Sequence, residues 1–300
     1  MSLLVLGTVA LDDVRTPSGF KRNMLGGSAT HFCMSARLFT DVHLVGVVGA
    51  DFPKKYIDFL KTKRINLASL DQKKGTTFRW RGEYKKENLN TALTLETHLG
   101  VLETFIPQIT APQQHLPHVF LANIDPDVQV RILGLMRSPR LVGLDSMNFW
   151  IQHKRKALKK LIKKVNLFVL NDTEAKSLAE ENNLIRAAKA LKDMGPKWIV
   201  IKKGEHGVFF YSDNCSFSTA AYPVEKVIDP TGAGDTFAGG LMGYLAKMKK
   251  INDKVLKNSI LYATTLASFN VEGFGMARTA PLAIPAVEQR MKKLKEFISL

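Results

Sequence analysis

The sequence predicts an α/β fold: an open, mainly parallel sheet with helices on both faces, carrying a small β lid. Three observations predict it. Short apolar runs alternate with longer segments of helical period, the rhythm of strand–helix–strand units. The runs are apolar at consecutive positions, as strands covered on both faces are. Two stretches, at 14–24 and 76–99, break this rhythm with turns and β-type patterning.

In order along the chain, buried strands are expected at 3–6, 42–47, 118–121, 141–144, 167–170 and 198–201. Amphipathic helices are expected near 29–38, 54–61, 128–136, 155–163 and 174–194. Within 76–99, Phe78-Arg79-Trp80-Arg81 with Tyr84, followed by Asn90 to Leu95, reads as a two-stranded antiparallel piece, and 14–24 adds a further short strand. Together these make the lid, over about 11–25 and 74–100; an ordinary surface hairpin is the plain alternative. The segment 106–117, with three Pro and three Gln, is a connector back to the sheet. A hairpin follows Tyr211 with Asp213-Asn214 at its turn, and from Ala233 onward the pattern is mostly helical. One α/β domain over 1–300 accounts for all of it.

Composition excludes several classes of function. Apolar residues make up 45% of the chain, which excludes disorder. Cys33 and Cys215 are too few and too far apart for a disulfide framework or a cysteine metal site, and they suit a reducing cytoplasm. The apolar start is too short to span a membrane and has no basic leader before it. The net charge of +16 comes from 43 Lys and Arg against 27 Asp and Glu. Much of the excess, including Lys159-Lys160, Lys163-Lys164 and Lys292-Lys293, alternates with Leu and Ile as solvated helix faces do. The remaining field would draw a phosphorylated small molecule; nucleic acid and membrane are not expected partners.

The sharpest local feature is Asp229-Pro230-Thr231-Gly232-Ala233-Gly234-Asp235-Thr236. Pro230 ends an extended segment, and two glycines permit a tight turn that opens a helix. Amides of Gly232, Ala233, Gly234 and Asp235 would point out of the helix start, where the dipole favours negative charge. Fixed N–H donors stabilise a phosphoryl group in transfer without reorganising. Asp235, in the first turn, could accept the proton of an attacking hydroxyl, or could merely complement the dipole. Other phosphate motifs fail. There is no Gly-x-x-x-x-Gly-Lys-Ser/Thr, Phe237 stands where a dinucleotide fingerprint needs its third glycine, and protein-kinase signatures are absent.

Three more segments belong with it. Asn171-Asp172-Thr173-Glu174 follows a predicted strand and opens a helix; it could orient a magnesium-bound water and phosphate oxygens, or be an N-cap with an acidic first turn. Lys202-Lys203-Gly204-Glu205-His206-Gly207 is a glycine turn with positive charge, or a bare β-turn. Gly26-Gly27-Ser28 precedes a helix, and Asp12 lies close behind the first strand. Strand C-termini of an open α/β sheet are where ligands bind, and all four segments face that edge.

Together these residues resemble the ribokinase-like, or PfkB-type, carbohydrate kinase family, over essentially the whole chain. The resemblance implies ATP and Mg2+, a sugar or nucleoside acceptor, and room for a monovalent cation and a homodimer. It makes Asp235 the catalytic base and the backbone of Gly232, Ala233 and Gly234 the anion hole. Asn171 and Glu174 match its magnesium and phosphate element, with Glu174 serving the metal. Lys203 and Gly204, with Gly207, match its nucleotide turn, and Asn270 and Gly273 fall where it closes over the adenine. Asp12, Gly26 and Gly27 fall in its sugar site. Departures are His31, where an Asn is usual, Ala10, where ribokinase itself has an Asn, and Asp145-Ser146-Met147-Asn148, whose spacing is longer. Phe78 and Trp80 on the lid offer faces for stacking on a sugar or a base. A sugar kinase is the first reading, a nucleoside kinase the second, and a non-catalytic binding protein the third.

Overall fold

The computed structural model describes residues 2–299. A nine-stranded sheet forms the centre. In chain order its strands are β1 (Ser2–Leu6), β4 (Asp41–Gly49), β5 (Asn66–Lys73), β8 (His118–Leu121), β9 (Leu141–Asp145), β10 (Leu167–Asn171), β11 (Trp198–Lys202), β12 (Val208–Tyr211) and β13 (Ser216–Thr219). Their spatial order is β13-β12-β11-β10-β9-β8-β1-β4-β5. Pairing is parallel from β11 through to β5, and β12 and β13 extend one edge as an antiparallel hairpin.

The intervening chain forms α1 (Ser28–Ala36), α2 (Lys54–Thr62), α3 (Ala111–Gln114), α4 (Pro126–Leu135), α5 (Asn148–His153), α6 (Arg155–Ile162), α7 (Asp172–Ala179), α8 (Leu184–Asp193), α9 (Ala233–Lys247), α10 (Asp253–Asn270) and α11 (Ile284–Ile298). Successive side chains of a strand point to opposite faces, so each central strand feeds two cores. Leu3 and Val5 of β1 pack with Phe32, Leu241 and Ile260 on the face covered by α1, α9 and α10. Leu4 and Leu6 pack with Ile132, Leu158, Leu178 and Leu191 on the face covered by α4, α6, α7 and α8. No described helix is long and apolar enough to cross a membrane.

A second, four-stranded sheet stands apart, ordered β3-β2-β6-β7 from β2 (Ala10–Thr16), β3 (Gly19–Gly26), β6 (Arg79–Lys85) and β7 (Asn88–His98). The segment 76–99 is thus β structure outside the main sheet. Asp12 lies within β2 rather than in a turn after the first strand, and it pairs in register with Trp80.

Several elements differ from the sequence expectation, among them 14–24, which holds parts of the two strands β2 and β3 instead of one, and the short helix α5. The helix expected over 174–194 is two helices, because Glu180 takes a left-handed conformation (φ 58°) and Asn183 caps a new start, accepting from the amide of Ile185 at 3.0 Å. The edge strand β5 was not expected, since Asn66-Leu67-Ala68-Ser69 carries no continuous apolar run. The connector 106–117 contains the short α3, opened by a Thr110–Gln113 capping box.

The contact between α1 and α9 depends on a missing side chain. A Cβ on Gly239 would overlap the carbonyl of Phe32 and the hydroxyl of Ser35, which itself donates to the carbonyl of Thr236 at 2.7 Å. Gly239→Ala should therefore destabilise the protein by about 2 kcal/mol through overpacking, read by urea denaturation. Gly134→Ala on α4, where nothing lies within 4 Å, should be neutral or stabilise by up to about 1 kcal/mol. Equal stability of the two variants would contradict the packing described.

Candidate active site

Parallel register sets the first part of the site. Val169 pairs with Asp145 and Asn171 with Lys202, so the ends of β9, β10 and β11 open on one edge. There the Lys202 ammonium donates to Asp145 Oδ2 at 2.9 Å, and both side chains are largely buried, with 17% and 6% exposed. Asn171 and Glu174 form a reciprocal capping box at the start of α7. The Asn171 amide donates to Glu174 Oε2, and the Glu174 amide to Asn171 Oδ1, both at 2.8 Å. The N-cap reading of these residues is therefore realised, and the capping holds Glu174 buried beside the ion pair. Burial first, and then Asp145, push its carboxyl up to about 7 against the pull of Lys202 and the Asn171 amide.

Across the edge stands the start of α9. Gly232 is its N-cap, in a left-handed conformation (φ 73°) that a glycine adopts freely. Asp229, fully buried, holds the turn: one carboxylate oxygen accepts from the Thr231 amide at 2.9 Å, the other from the Gly275 amide at 3.0 Å. The Ala233 amide donates back to the Pro230 carbonyl at 3.1 Å. Of the three residues expected to form the anion hole, Ala233 has its amide engaged in the turn, while the Gly232 and Gly234 amides have no backbone partner among the described residues. Asp235, half-buried in the first turn, has its carboxyl pushed up to about 7 by burial and then by Asp145, with Lys202 and its own amide opposing.

The other wall is built from β2, β3 and α1. Asp12 is 5% exposed and lies against Gly26, where any Cβ would overlap its carboxylate. Its carboxyl is pushed up to about 8, chiefly by burial; the Gly27 amide opposes this, and Asp229, Asp235 and Asp13 add to it. Tyr84, from β6, comes down onto the glycine turn, and Thr231 Oγ1 donates to its hydroxyl at 3.4 Å. Burial and the nearby carboxylates of Asp229, Asp12 and Asp235 push the phenol up, so it stays protonated.

Several of the expected residues have partners within the protein. His31 is 2% exposed, lies under Gly232, and approaches Asn270 Oδ1 with Nδ1 at 3.3 Å. Burial keeps its imidazole neutral. Asn270 is fully buried: it donates to the Thr231 carbonyl at 2.8 Å and accepts from Thr236 Oγ1 at 2.9 Å. Both side chains brace the turn from below. Gly273 lies buried just beyond α10, its amide on the Asn270 carbonyl at 3.4 Å. Trp80 is held within the small sheet, its ring over Gly82 and its indole N–H on Thr94 Oγ1 at 3.1 Å. Trp80 also contributes to the lining of a cavity of about 170 Å³ with Asp13 and Glu96. Phe78 is half-buried ahead of β6, its carbonyl accepting from the Leu11 amide at 3.0 Å. Lys203 turns outward to Ser218 Oγ at 3.4 Å, while its amide donates to Gly207 in the β11–β12 turn. Gly204 opens that turn, where Asn90 of β7 donates to Glu205.

Three residues at the site were not singled out from the sequence. Lys202 is the lysine at the strand-end cluster, next to Lys203 of the expected nucleotide turn; the available signal is its position as the last residue of an apolar run, which Asp145 and Asn171 share. Asp229 stands out in the sequence only as the start of the glycine motif, and Tyr84 only as part of the β extension. The described residues include no cluster of His, Cys, Asp and Glu that would hold a metal by themselves.

Residues 141–282 match the model of the pfkB family carbohydrate kinases. The chain is 29% identical over 252 residues to a cytidine kinase of Thermococcus kodakarensis, covering 81% of this chain and 88% of that one. It is 24% identical to a nucleoside kinase of Methanocaldococcus jannaschii, over 93% and 89% of the two chains. A crystal structure of a nucleoside kinase from that organism, described as an archaeal member of the ribokinase family, superposes with a TM-score of 0.78 at 21% identity, over 97% of this chain and 98% of that one. A ribokinase of Staphylococcus aureus is 31% identical over a shorter span, 41% of this chain and 40% of its own. Residues 141–282 thus form a pfkB-type carbohydrate kinase region within a chain of ribokinase-like fold, and the protein is a kinase that phosphorylates a sugar or nucleoside hydroxyl.

Proposed function

We propose that the protein transfers the γ-phosphoryl group of ATP to a hydroxyl of a nucleoside, with Asp235 as general base. The observation that carries this reading is the position of Asp235, at the amino end of α9 between the Asp145–Lys202 pair and Asp12, with a carboxyl near 7. A base of that strength is matched to neutral pH. The nucleoside is favoured over a free sugar because the relatives aligned along most of the chain are named as nucleoside or cytidine kinases, while the ribokinase alignment spans less than half. A free sugar is the second reading, favoured by the family's own description.

In this mechanism Asp12 accepts hydrogen bonds from two neighbouring ribose hydroxyls, and Gly26 leaves it the room to do so. Asp235 takes the proton of the attacking hydroxyl as its oxygen bonds to the γ-phosphorus, and ADP leaves with the electron pair of the broken bond. The Gly232 and Gly234 amides donate to the oxygens of the group in transfer. Asn270, His31 and Asp229 position that turn without touching the nucleotide. The small sheet serves as the lid, with Tyr84 over the glycine turn and Asn90 on the nucleotide turn at Gly204–Glu205, excluding water. Phe78 and Trp80 support it. The donor set fits Mg2+, which keeps several waters and leans on one or two carboxylates plus phosphate oxygens. Glu174, with one oxygen free of the capping box, would hold it with Asn171 beside it. When bound, the ion neutralises phosphate charge.

Three measurements test this reading. The active form of Asp235 is the carboxylate, so kcat/KM, which reports the free enzyme, should rise with pH through about 7; Asp235→Asn should lower kcat by about a hundredfold or more while ATP still binds. Near-normal turnover of that variant would overturn the mechanism. Glu174→Gln preserves the capping box, so it should raise the magnesium concentration for half-maximal rate without unfolding α7; an unchanged magnesium profile would reduce Glu174 to a cap. Asp12→Ala should weaken the acceptor by about 2 kcal/mol or more and leave ATP affinity alone. A panel of cytidine, inosine, adenosine and ribose, read by ADP release, decides between nucleoside and sugar.

A further inference from the structure

The mechanism above assigns no task to the most deeply placed cation at the site. Lys202 ends β11, and its ammonium lies 3.0 Å from where a Cβ on Gly234 would stand, directly beside the unpartnered amide of that residue. A side chain at 234 would press against it, so the glycine keeps the helix start and the ammonium in contact with the same space. The ammonium has three N–H donors. One is spent on Asp145 Oδ2 at 2.9 Å, and no other hydrogen-bond acceptor among the described residues takes the remaining two. Asp145 from β9, Glu174 from α7 and Asp235 from α9 all face it, and their combined field outweighs burial and keeps it charged. A counter-ion for three carboxylates needs only to sit among them. This one is also aimed at the place where the amides of α9 meet incoming negative charge.

We propose that Lys202 is a catalytic residue that donates to an oxygen of the phosphoryl group in transfer and offsets the charge developing there. This rests on the kinase reading of the site. Lys202 remains an ammonium throughout: the proton of the acceptor goes to Asp235, the new O–P bond forms, and the electron pair of the broken bond leaves with ADP. Asp145 is then the positioning residue, fixing the ammonium by one donor and leaving two for the ligand. A fixed cation of this kind is stronger than a solvated one because it is oriented in a water-poor cleft before the reaction begins.

The test uses the full chain with ATP, Mg2+ and cytidine. Lys202→Met keeps the stem and removes the charge; kcat should fall by about a hundredfold or more, with the KM for cytidine within about threefold of wild type. Because this leaves Asp145 buried and unpaired, Lys202→Met/Asp145→Asn is made alongside it to restore folding, and it should show the same loss. A readout without turnover separates catalysis from structure. ADP with aluminium fluoride imitates the group in transfer, and its affinity should fall at least tenfold more than that of ADP alone. Addition of ethylamine to Lys202→Ala should restore part of the rate. Wild-type turnover in the folded double variant would overturn the proposal, as would equal losses of ADP and ADP–aluminium fluoride. If the wild-type protein itself transfers phosphate to no member of the acceptor panel, the kinase reading fails first, a result distinguishable from loss in the variants alone.

Discussion

The start of α9 is held by side chains from widely separated parts of the chain, and the cleft takes its shape from how they hold it. Asp229 ties the amides of Thr231 and Gly275 together from inside the protein, and Asn270 at the end of α10 grips the Thr231 carbonyl and the Thr236 hydroxyl. His31 on α1 presses its ring under Gly232. None of these groups is exposed, so the left-handed turn at Gly232 is fixed before any ligand arrives. Preorganised amides cost nothing to orient when charge develops, which is what makes such a helix start useful for phosphoryl transfer.

Around that turn the protein gathers more carboxylates than it can keep ionised. Asp12, Glu174 and Asp235 have carboxyls at about 8, 7 and 7, and in each case burial is the leading cause. Lys202 offsets Glu174 and Asp235, but it cannot serve Asp12, which lies beyond the turn and has only the Gly27 amide in its favour. In the proposed mechanism a diol would supply donors to Asp12 and a divalent cation would supply charge to Glu174, so the groups that burial leaves uncompensated are those assigned to the substrates.

The small sheet reaches both halves of the cleft from one hairpin. Tyr84 meets the glycine turn, and a few residues on, Asn90 meets the turn at Glu205. At its base, Arg79 pairs with Asp51, which also accepts from both the amide and the hydroxyl of Thr77 at 2.7 Å. The sheet is therefore tied at one end to the loop after β4 and at the other to the two turns.

The sequence by itself determined the order of the parallel strands' building blocks and the location of the glycine turn, because both are local: unbroken apolar runs such as 118–121 and 167–170 mark strands covered on both faces, and Gly232 with Gly234 mark a turn that few other residues can make. It also placed Asp12, Gly26 and Asp235 together through the family resemblance. Only the tertiary structure decided which neighbouring residue does which task. Lys202 and Lys203 are alike in type and adjacent, and one faces the buried cluster while the other faces Ser218, because successive side chains at a strand end point to opposite sides. Asn270 and His31, which the resemblance sets at the adenine and the acceptor, are buried with hydrogen-bond partners inside the protein once α10 and α1 pack beneath α9. Burial and partners are properties of the assembled chain, and they determine whether a polar side chain meets a substrate or holds the residue that does.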